Sequence, residues 1–333
     1  MRRFPAHGGT LPLRLQLGGL VLGAFTLVCI GGSWLAADPN EIVDPRAAAL
    51  LPPTAQRWVI TLADGTRLAA EAVRRDGDRW IVLRRGSDQA LAAENVVSLE
   101  LRQFWLGTDT LGRDVLARLL HGGRISLTIG ICSLLAALSL GITVGMAAGW
   151  AGGLADGVLM RVVDGLLAVP MLFLLLLLAA VFRPSLATLV AVLAFSSWMG
   201  VARLVRGQVL SLKEREFVLG VRAIGAGPLR IAWHHLLPNT VTPLAQDAVL
   251  RLGDLILAEA SLSFLGLGVQ PPVPSWGNMV AEGQTLLLEA WWLTFIPGLA
   301  ISVTVVAAAL VADGMQEVAR RHDTARLVSP TGS

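Results

Sequence analysis

The sequence predicts an all-α polytopic membrane protein of six transmembrane helices, with a small extracytoplasmic β-domain inserted after the first helix. Three observations carry this. Of 333 residues, 54% are hydrophobic and 15% charged, and the mean hydropathy of +0.64 is too high for a soluble globular domain. Several apolar runs reach about 20 residues, the length that crosses a bilayer core. One stretch, residues 57–102, instead alternates polar and apolar positions around Asp-Gly turns, as strands and hairpins do.

Composition also excludes several chemistries. Lys213 is the only lysine and follows Leu212. A phosphate-binding P-loop needs its lysine after glycines, so the chain does not hydrolyse ATP by that route. Cys29 and Cys132 lie inside apolar runs, which argues against a disulfide framework, and no Cys/His cluster has metal-ligand spacing. The net charge of +3 comes from basic residues that flank membrane segments. A positive-inside signal explains them better than nucleic-acid binding does.

Residues 1–16 carry Arg2, Arg3 and Arg14 without an acid, so the N-terminus is expected on the cytoplasmic side. The first span is Leu17–Ala37. No small-x-small cleavage site precedes Asp38, so this helix is expected to be retained rather than removed as a signal peptide. Residues 38–56, rich in Pro and Ala, read as linker.

The β insertion, 57–102, reads as four or five antiparallel strands with a modest core of Trp58, Ile60, Leu62, Leu68, Trp80, Val82, Val97 and Leu99. Such a core calls for support from elsewhere in the chain. A docking module and an ornamental insertion both fit it. In Phe104–Leu127, residues Leu111, Val115, Leu116, Leu119 and Leu120 form one helical face, which predicts an amphipathic helix on the membrane surface.

Five more spans follow: Ile125–Met146, Gly165–Phe182, Leu186–Val205, Thr240–Leu267 and Leu293–Val311. The first of these carries Gly130, Ala136, Gly141 and Gly145, small residues of the kind that packed membrane helices favour. Between the fourth and fifth spans of the chain, Arg203, Arg206, Lys213, Arg215, Arg222 and Arg230 face only Glu214 and Glu216, so this loop is cytoplasmic. The tail 316–333 is basic too, through Arg320, Arg321 and Arg326. Six spans then place both termini and the loop inside and the β-domain outside.

Within the loop, Glu216–Asn239 is a helix–turn–helix punctuated by Gly225, Gly227 and Pro228. It holds no nucleophile–base pair. His234 and His235 are adjacent, so they lie on different helical faces and do not form an i, i+4 metal pair. What it offers is a short helix, Ala223 to Gly227 with its flanks, as a knob for another protein. In the fifth span, Asp247–Arg251 and Arg251–Asp254 are spaced to pair along one face, and Glu259 stands apart as a pathway or packing residue. Arg161 and Asp164 are expected to form a structural ion pair.

Three segments resemble the membrane subunits of peptide/nickel-type ATP-binding-cassette (ABC) importers. The loop is similar through Glu216, Gly225 and Leu237–Pro238, with Leu219-Gly220-Val221 in place of the Glu-Ala-Ala triplet and His235 in place of an Ile. The segment before the second helix resembles the family's Gly-Thr-Asp…Gly-Arg-Asp…Arg through Gly107, Thr108, Asp109, Gly112, Arg113, Asp114 and Arg118. The third runs through Ala258-Glu259-Ala260, Ser261, Ser263-Phe264-Leu265-Gly266 and Pro274-Ser275-Trp276-Gly277. The resemblance covers roughly 17–37 and 104–315, and the chain departs from it in the insertion and in a tail without the usual Asp-Pro ending.

The resemblance implies a type I importer permease fold with a core at 104–315 and a coupling loop at 206–238, in a bacterial inner membrane. It implies as partners a second homologous permease, two ABC ATPase subunits and an extracytoplasmic solute-binding protein. ATP and Mg would sit on the ATPases, and this chain is expected to bind no cofactor or metal and to catalyse nothing. Glu216, Arg222, Ala223, Gly225, Ala226, Arg230, His235 and Pro238 would meet the ATPase, and Glu259, Ser261 and Ser263 would line or pack the path. Peptides are the expected cargo, with nickel or another small solute as the alternative. A secondary transporter would need inverted repeats and broken helices, and no repeat relates the halves. A membrane-anchored sensor or scaffold would not need the punctuated helix pair.

Overall fold

A computed structural model of the protein describes residues 11–183 and 185–328. The described elements run α1 (Leu13–Leu35), β1 (Ala55–Leu62), β2 (Arg67–Ala70), β3 (Ala72–Asp76), β4 (Arg79–Arg84), β5 (Ser87–Ala92), β6 (Val96–Phe104), α2 (Val115–Ala151), α3 (Gly153–Leu167), α4 (Met171–Val181), α5 (Leu186–Leu212), α6 (Glu216–Ala223), α7 (Pro228–Ile231), α8 (Leu237–Phe264), α9 (Trp276–Gly283) and α10 (Trp292–Val328). They divide into two compact units. One gathers Thr128–Glu259 with the chain up to Phe25 and from Ser302; the other comprises Thr26–Leu127 and Ala260–Ile301.

Among the described residues, four helices are long and apolar enough to cross a membrane, α1, α2, α5 and α10, and the bent pair α3–α4 passes the same test when taken as one. The expected third span, Gly165–Phe182, is not one helix. It is the end of α3 and all of α4, bent by 86° at Ala168–Pro170. Pro170 has no amide hydrogen to give and its ψ of 130° is extended, so the helix stops there and restarts at Met171. The surface helix expected over Phe104–Leu127 is also absent as such. Gly107 (φ +80) and Gly112 (φ +75) take left-handed turns, and the helix begins at Val115 and runs on unbroken into the membrane span.

In the first unit, α2 and α5 touch along a glycine stripe. A Cβ on Gly141 would lie 2.5 Å from the Val201 Cβ, and one on Gly149 would lie 2.8 Å from the Val209 Cβ. Gly130 makes the same kind of approach to Ile256 of α8, at 3.1 Å. Of the small residues expected at such contacts, Ala136 faces out and its neighbour Ala137 is the buried one.

In the second unit the insertion has six strands, not four or five, because the run Thr66–Arg75 is cut at Glu71 and changes sheets. The sheets are antiparallel, in the orders β2-β1-β6 and β3-β4-β5. Ile60, Ala70 and Val82 form the core between them, with Trp58, Leu62, Leu68, Trp80 and Leu99 around it. Val97 was expected there and is 68% exposed instead. A bulge between Thr61 and Leu62 sets Val96 opposite Leu62, so Val96 turns inward and Val97 outward.

Residues 38–56 are not a linker. Val43, Ala48 and Leu51 pack on Val59, Ala69 and Phe104, covering the other face of the β2-β1-β6 sheet. This supplies the support that the small core lacks. Asp44 fastens it, at 5% exposed: its carboxylate accepts from Arg84 Nη2 (2.5 Å) and from the amides of Ala69, Arg46 and Ala47. Burial works to raise its pKa, but those donors outweigh it and hold the carboxyl below the ordinary value. The stabilisation is therefore present at neutral pH and lost as pH falls through the folded-state pKa. Asp44→Asn should cost about 1.5–3 kcal/mol, the worth of hydrogen bonds to a charged group. Amide exchange in β2 and β4 should speed up at pH 7, and the gap from the parent should close in acid.

Candidate functional site

The Gly107–Arg118 segment is held by a buried group of four charges. The Asp109 carboxylate accepts from the amides of Leu111 and Arg113, both at 2.9 Å, and from Arg113 Nε at 2.6 Å. Arg118 Nε lies 3.5 Å from the same carboxylate. Arg113 Nη2 and Arg118 Nη2 then reach Glu282 of α9, at 3.2 and 3.0 Å. Arg118 is 1% exposed and Asp109 3%, so each cation is matched by an acid in the same pocket of protein. Gly107, Gly112 and Asp114 serve the same turn. Asp114 caps α2 by accepting from the Leu116 amide at 2.8 Å. Its burial pushes the carboxyl above the ordinary value, against the pull of the Leu116 amide and of Arg102. Thr108, fully buried, donates to the Ala48 carbonyl and accepts from the Leu51 amide at 2.8 Å.

The third segment folds around Trp276, which is wholly buried and donates through Nε1 to the Leu119 carbonyl at 3.1 Å. A Cβ on Gly123 would lie 2.7 Å from this ring, so only glycine admits it. Ser275 and Asn278 close a capping box at the start of α9. Ser263 is a packing residue: it is 3% exposed and its hydroxyl accepts from the Val269 amide at 3.0 Å. Glu259 is fully buried, whereas Ser261 is exposed.

In Glu216–Asn239, α6 ends at Ala223 and the expected knob at Ala223–Gly227 is a turn rather than a helix. Gly225 has φ +85; its amide donates to Arg222 O at 3.0 Å, and that of Ala226 to Val221 O at 3.3 Å. These two bonds make a Schellman end, which needs the left-handed glycine. After α7 the chain runs as one π turn, Ala232–Leu236, before Pro238, which has no amide to donate. Asn239 Nδ2 donates to the His235 carbonyl at 2.6 Å. Val218, Ile231 and Leu236 anchor the element on Val201, Val205, Val209 and Leu212 of α5. Glu216, Arg222, Ala223, Gly225, Arg230 and Pro238 are exposed, and Ala226 and His235 partly so. Beside them Phe217, Leu219, Ile224, Leu229 and Trp233 are exposed apolar side chains, Ile224 at 84%.

On α8 the expected pairing holds in part. Arg251 clasps Asp247 with Nε and Nη2, and its Nη1 donates to the Ser197 carbonyl at 3.2 Å. Arg251 does not pair with Asp254, because its fork is already filled. Asp164 pairs with Arg203 of α5 at 2.5 Å rather than with Arg161, and Asp156 takes Arg206 in a two-pronged bond. The bent α3–α4 pair, α5 and α8 enclose a cleft of about 350 Å3 that includes Arg251 and Asp254.

Apolar helices of membrane-spanning length, with ion pairs among them, are the features of a membrane component. Residues 141–322, more than half of the chain, match the family described as binding-protein-dependent transport system inner membrane component. The chain belongs to that family. Over 215 residues it is 42% identical to the di/tripeptide transport system permease protein DppC of Pseudomonas aeruginosa, covering 65% of this chain and 71% of the relative. Over 214 residues it is 42% identical to the dipeptide transport system permease protein DppC of Bacillus subtilis, covering 64% and 67%. Among solved structures it is similar to an inward-facing MetNI methionine ABC transporter, with a TM-score of 0.48 and 18% identity over 61% of this chain and 95% of that one.

This permease subunit is thus a multi-pass inner-membrane part of an ABC importer, a system that also comprises a partner permease, an ATPase and a binding protein. The resemblance noted in its three segments points to the same family. Glu282 was missed from the sequence, because its partners stand more than 160 positions earlier. Removing its charge leaves Asp109 alone to balance two buried cations. Glu282→Gln should lower the melting temperature in detergent by several degrees, and a cycle with Arg118→Met should show roughly 0.5–3 kcal/mol of coupling.

Proposed function

We propose that this permease forms half of a peptide path and is driven through Glu216–Asn239 by a separate ATPase. The observation that carries the proposal is the exposure of Phe217, Leu219, Ile224, Leu229 and Trp233 around a rigid glycine turn. Soluble surfaces avoid such a cluster unless a partner covers it. Glu216, Arg222 and Arg230 supply a polar rim, as protein interfaces have. Closure of the ATPases would pull on this element and, through its anchor on α5, shift the helices between inward- and outward-open states. Nucleotide and metal belong to the ATPases in this reading, and the chain itself binds neither.

Six spans with both termini inside is the topology we propose. α8, at 28 residues and about 42 Å, is long enough to complete the six as the fifth in chain order despite its charges, which α5 and its own ion pair help to accommodate. The basic loop sets the orientation and puts the β insertion outside, beside the binding protein. The complex would hold a second homologous permease and two ATPase subunits. Peptide is the cargo favoured by the names of the relatives, which are di/tripeptide and dipeptide permeases.

Replacing Gly225 with Glu forces a left-handed backbone on a side chain that resists it and places a charge at the tip. The variant should insert normally, lose co-purification of the ATPase and lose peptide uptake. Retention of both would refute the assignment of this loop.

A further inference from the structure

We propose that the cleft at the bend between α3 and α4 is a subsite on the transport path that takes an ammonium group, with the Asp254 carboxylate as its acceptor. The inference rests on the transport reading above and adds a chemical class to it.

The cleft of about 350 Å3 is lined by Leu166, Val169, Pro170, Ser197, Arg251 and Asp254. This is within the size range of small-solute sites. Its wall includes the break at Ala168–Pro170. Non-helical backbone inside a membrane protein persists only where it is buried in protein or lines a watery cavity. The break lines the cleft, which supplies that condition.

Counting charges decides the sign. Arg251 is spent: both carboxylate oxygens of Asp247 and the Ser197 carbonyl use its nitrogens. Gly200 keeps it there, since a Cβ at that position would lie 2.5 Å from Arg251 Nη2. Asp247 is neutralised in the same bond. Asp254 has neither a hydrogen bond nor an ion pair among the described residues, and its side chain is open to the cleft. One negative charge is therefore left over. The last turn of α3 (Leu166, Leu167) and the first residue of α4 (Met171) both line the cleft, so the two helix ends oppose each other there and the carboxylate decides the sign. An uncompensated carboxylate in a cleft is a receptor for a cation, and a peptide brings one as its N-terminal ammonium.

The test uses the whole importer in proteoliposomes, with Cys29 and Cys132 replaced by Ser and Val169→Cys added as a reporter in the cleft. The reporter is modified with methanethiosulfonate reagents that differ only in carrying an ethylammonium or an ethylsulfonate. The cationic reagent should react faster, and Asp254→Asn should reduce that preference about tenfold, the effect of one nearby charge in a partly screened site. In the importer without the reporter, Asp254→Asn should cut dipeptide uptake at least tenfold with the ATPase still co-purifying, and Asp254→Glu should recover part of it. An unchanged reagent preference, or uptake by Asp254→Asn at the parental rate, overturns the subsite. A parental complex that retains no ATPase overturns the transport reading instead, and the reagent preference, which needs no turnover, still reports on the cleft.

Discussion

Everything in the helical unit depends on how closely α2 approaches α5. In lipid, helices gain nothing by hiding apolar surface from one another, so association rests on close packing. Gly141, Gly145 and Gly149 give α2 a bare stripe, and Val201, Val205 and Val209 of α5 lie along it. The same three valines belong to the cluster that seats Val218, Ile231 and Leu236. One edge of α5 thus does two jobs: it fixes the spacing of the span and it carries the exposed helix–turn–helix. The helix–turn–helix and the helix pair therefore share side chains along this edge.

Charge is handled differently in the two units. Around Asp109 the four groups satisfy one another almost completely, and Arg118 Nη1 is the one nitrogen there left buried without a partner. Along α3, α5 and α8 the pairs Asp156–Arg206, Asp164–Arg203 and Asp247–Arg251 each cancel, and of the two charged residues that line the cleft, Arg251 is paired and Asp254 is not. The first arrangement is that of a clamp, where a missing partner is costly. The second leaves one carboxylate, that of Asp254, facing a cavity.

Much of this was legible from the residues. The apolar runs, the Asp-Gly turns and the Gly225–Pro228 punctuation depend on local chemistry, and each marks an element that exists. What was hidden depends on distance or on small local asymmetry. A single bulge at Thr61/Leu62 exchanges Val97 for Val96, and alternation alone contains no trace of it. Pro170 was visible, but its effect was masked by the leucine run that follows, which reads as one continuous span. The Glu282 contacts and the packing of residues 38–56 on the sheet join segments far apart in sequence, where pattern gives no guide. Arg251 had two acids in reach, and the choice between them was made by the carbonyl of Ser197 on another helix.

The two ends of the β insertion meet. Ala55 pairs with Phe104 across the sheet, and the Thr54 amide donates to the Phe104 carbonyl at 2.9 Å. The neck holds the two ends in register, so the exposed turns at Asp64–Gly65 and Asp76–Gly77 can be lengthened without disturbing it, whereas pruning the sheet would uncover Val43, Ala48 and Leu51. The insertion is thus free to vary at its turns and held fixed along the face that residues 38–56 cover.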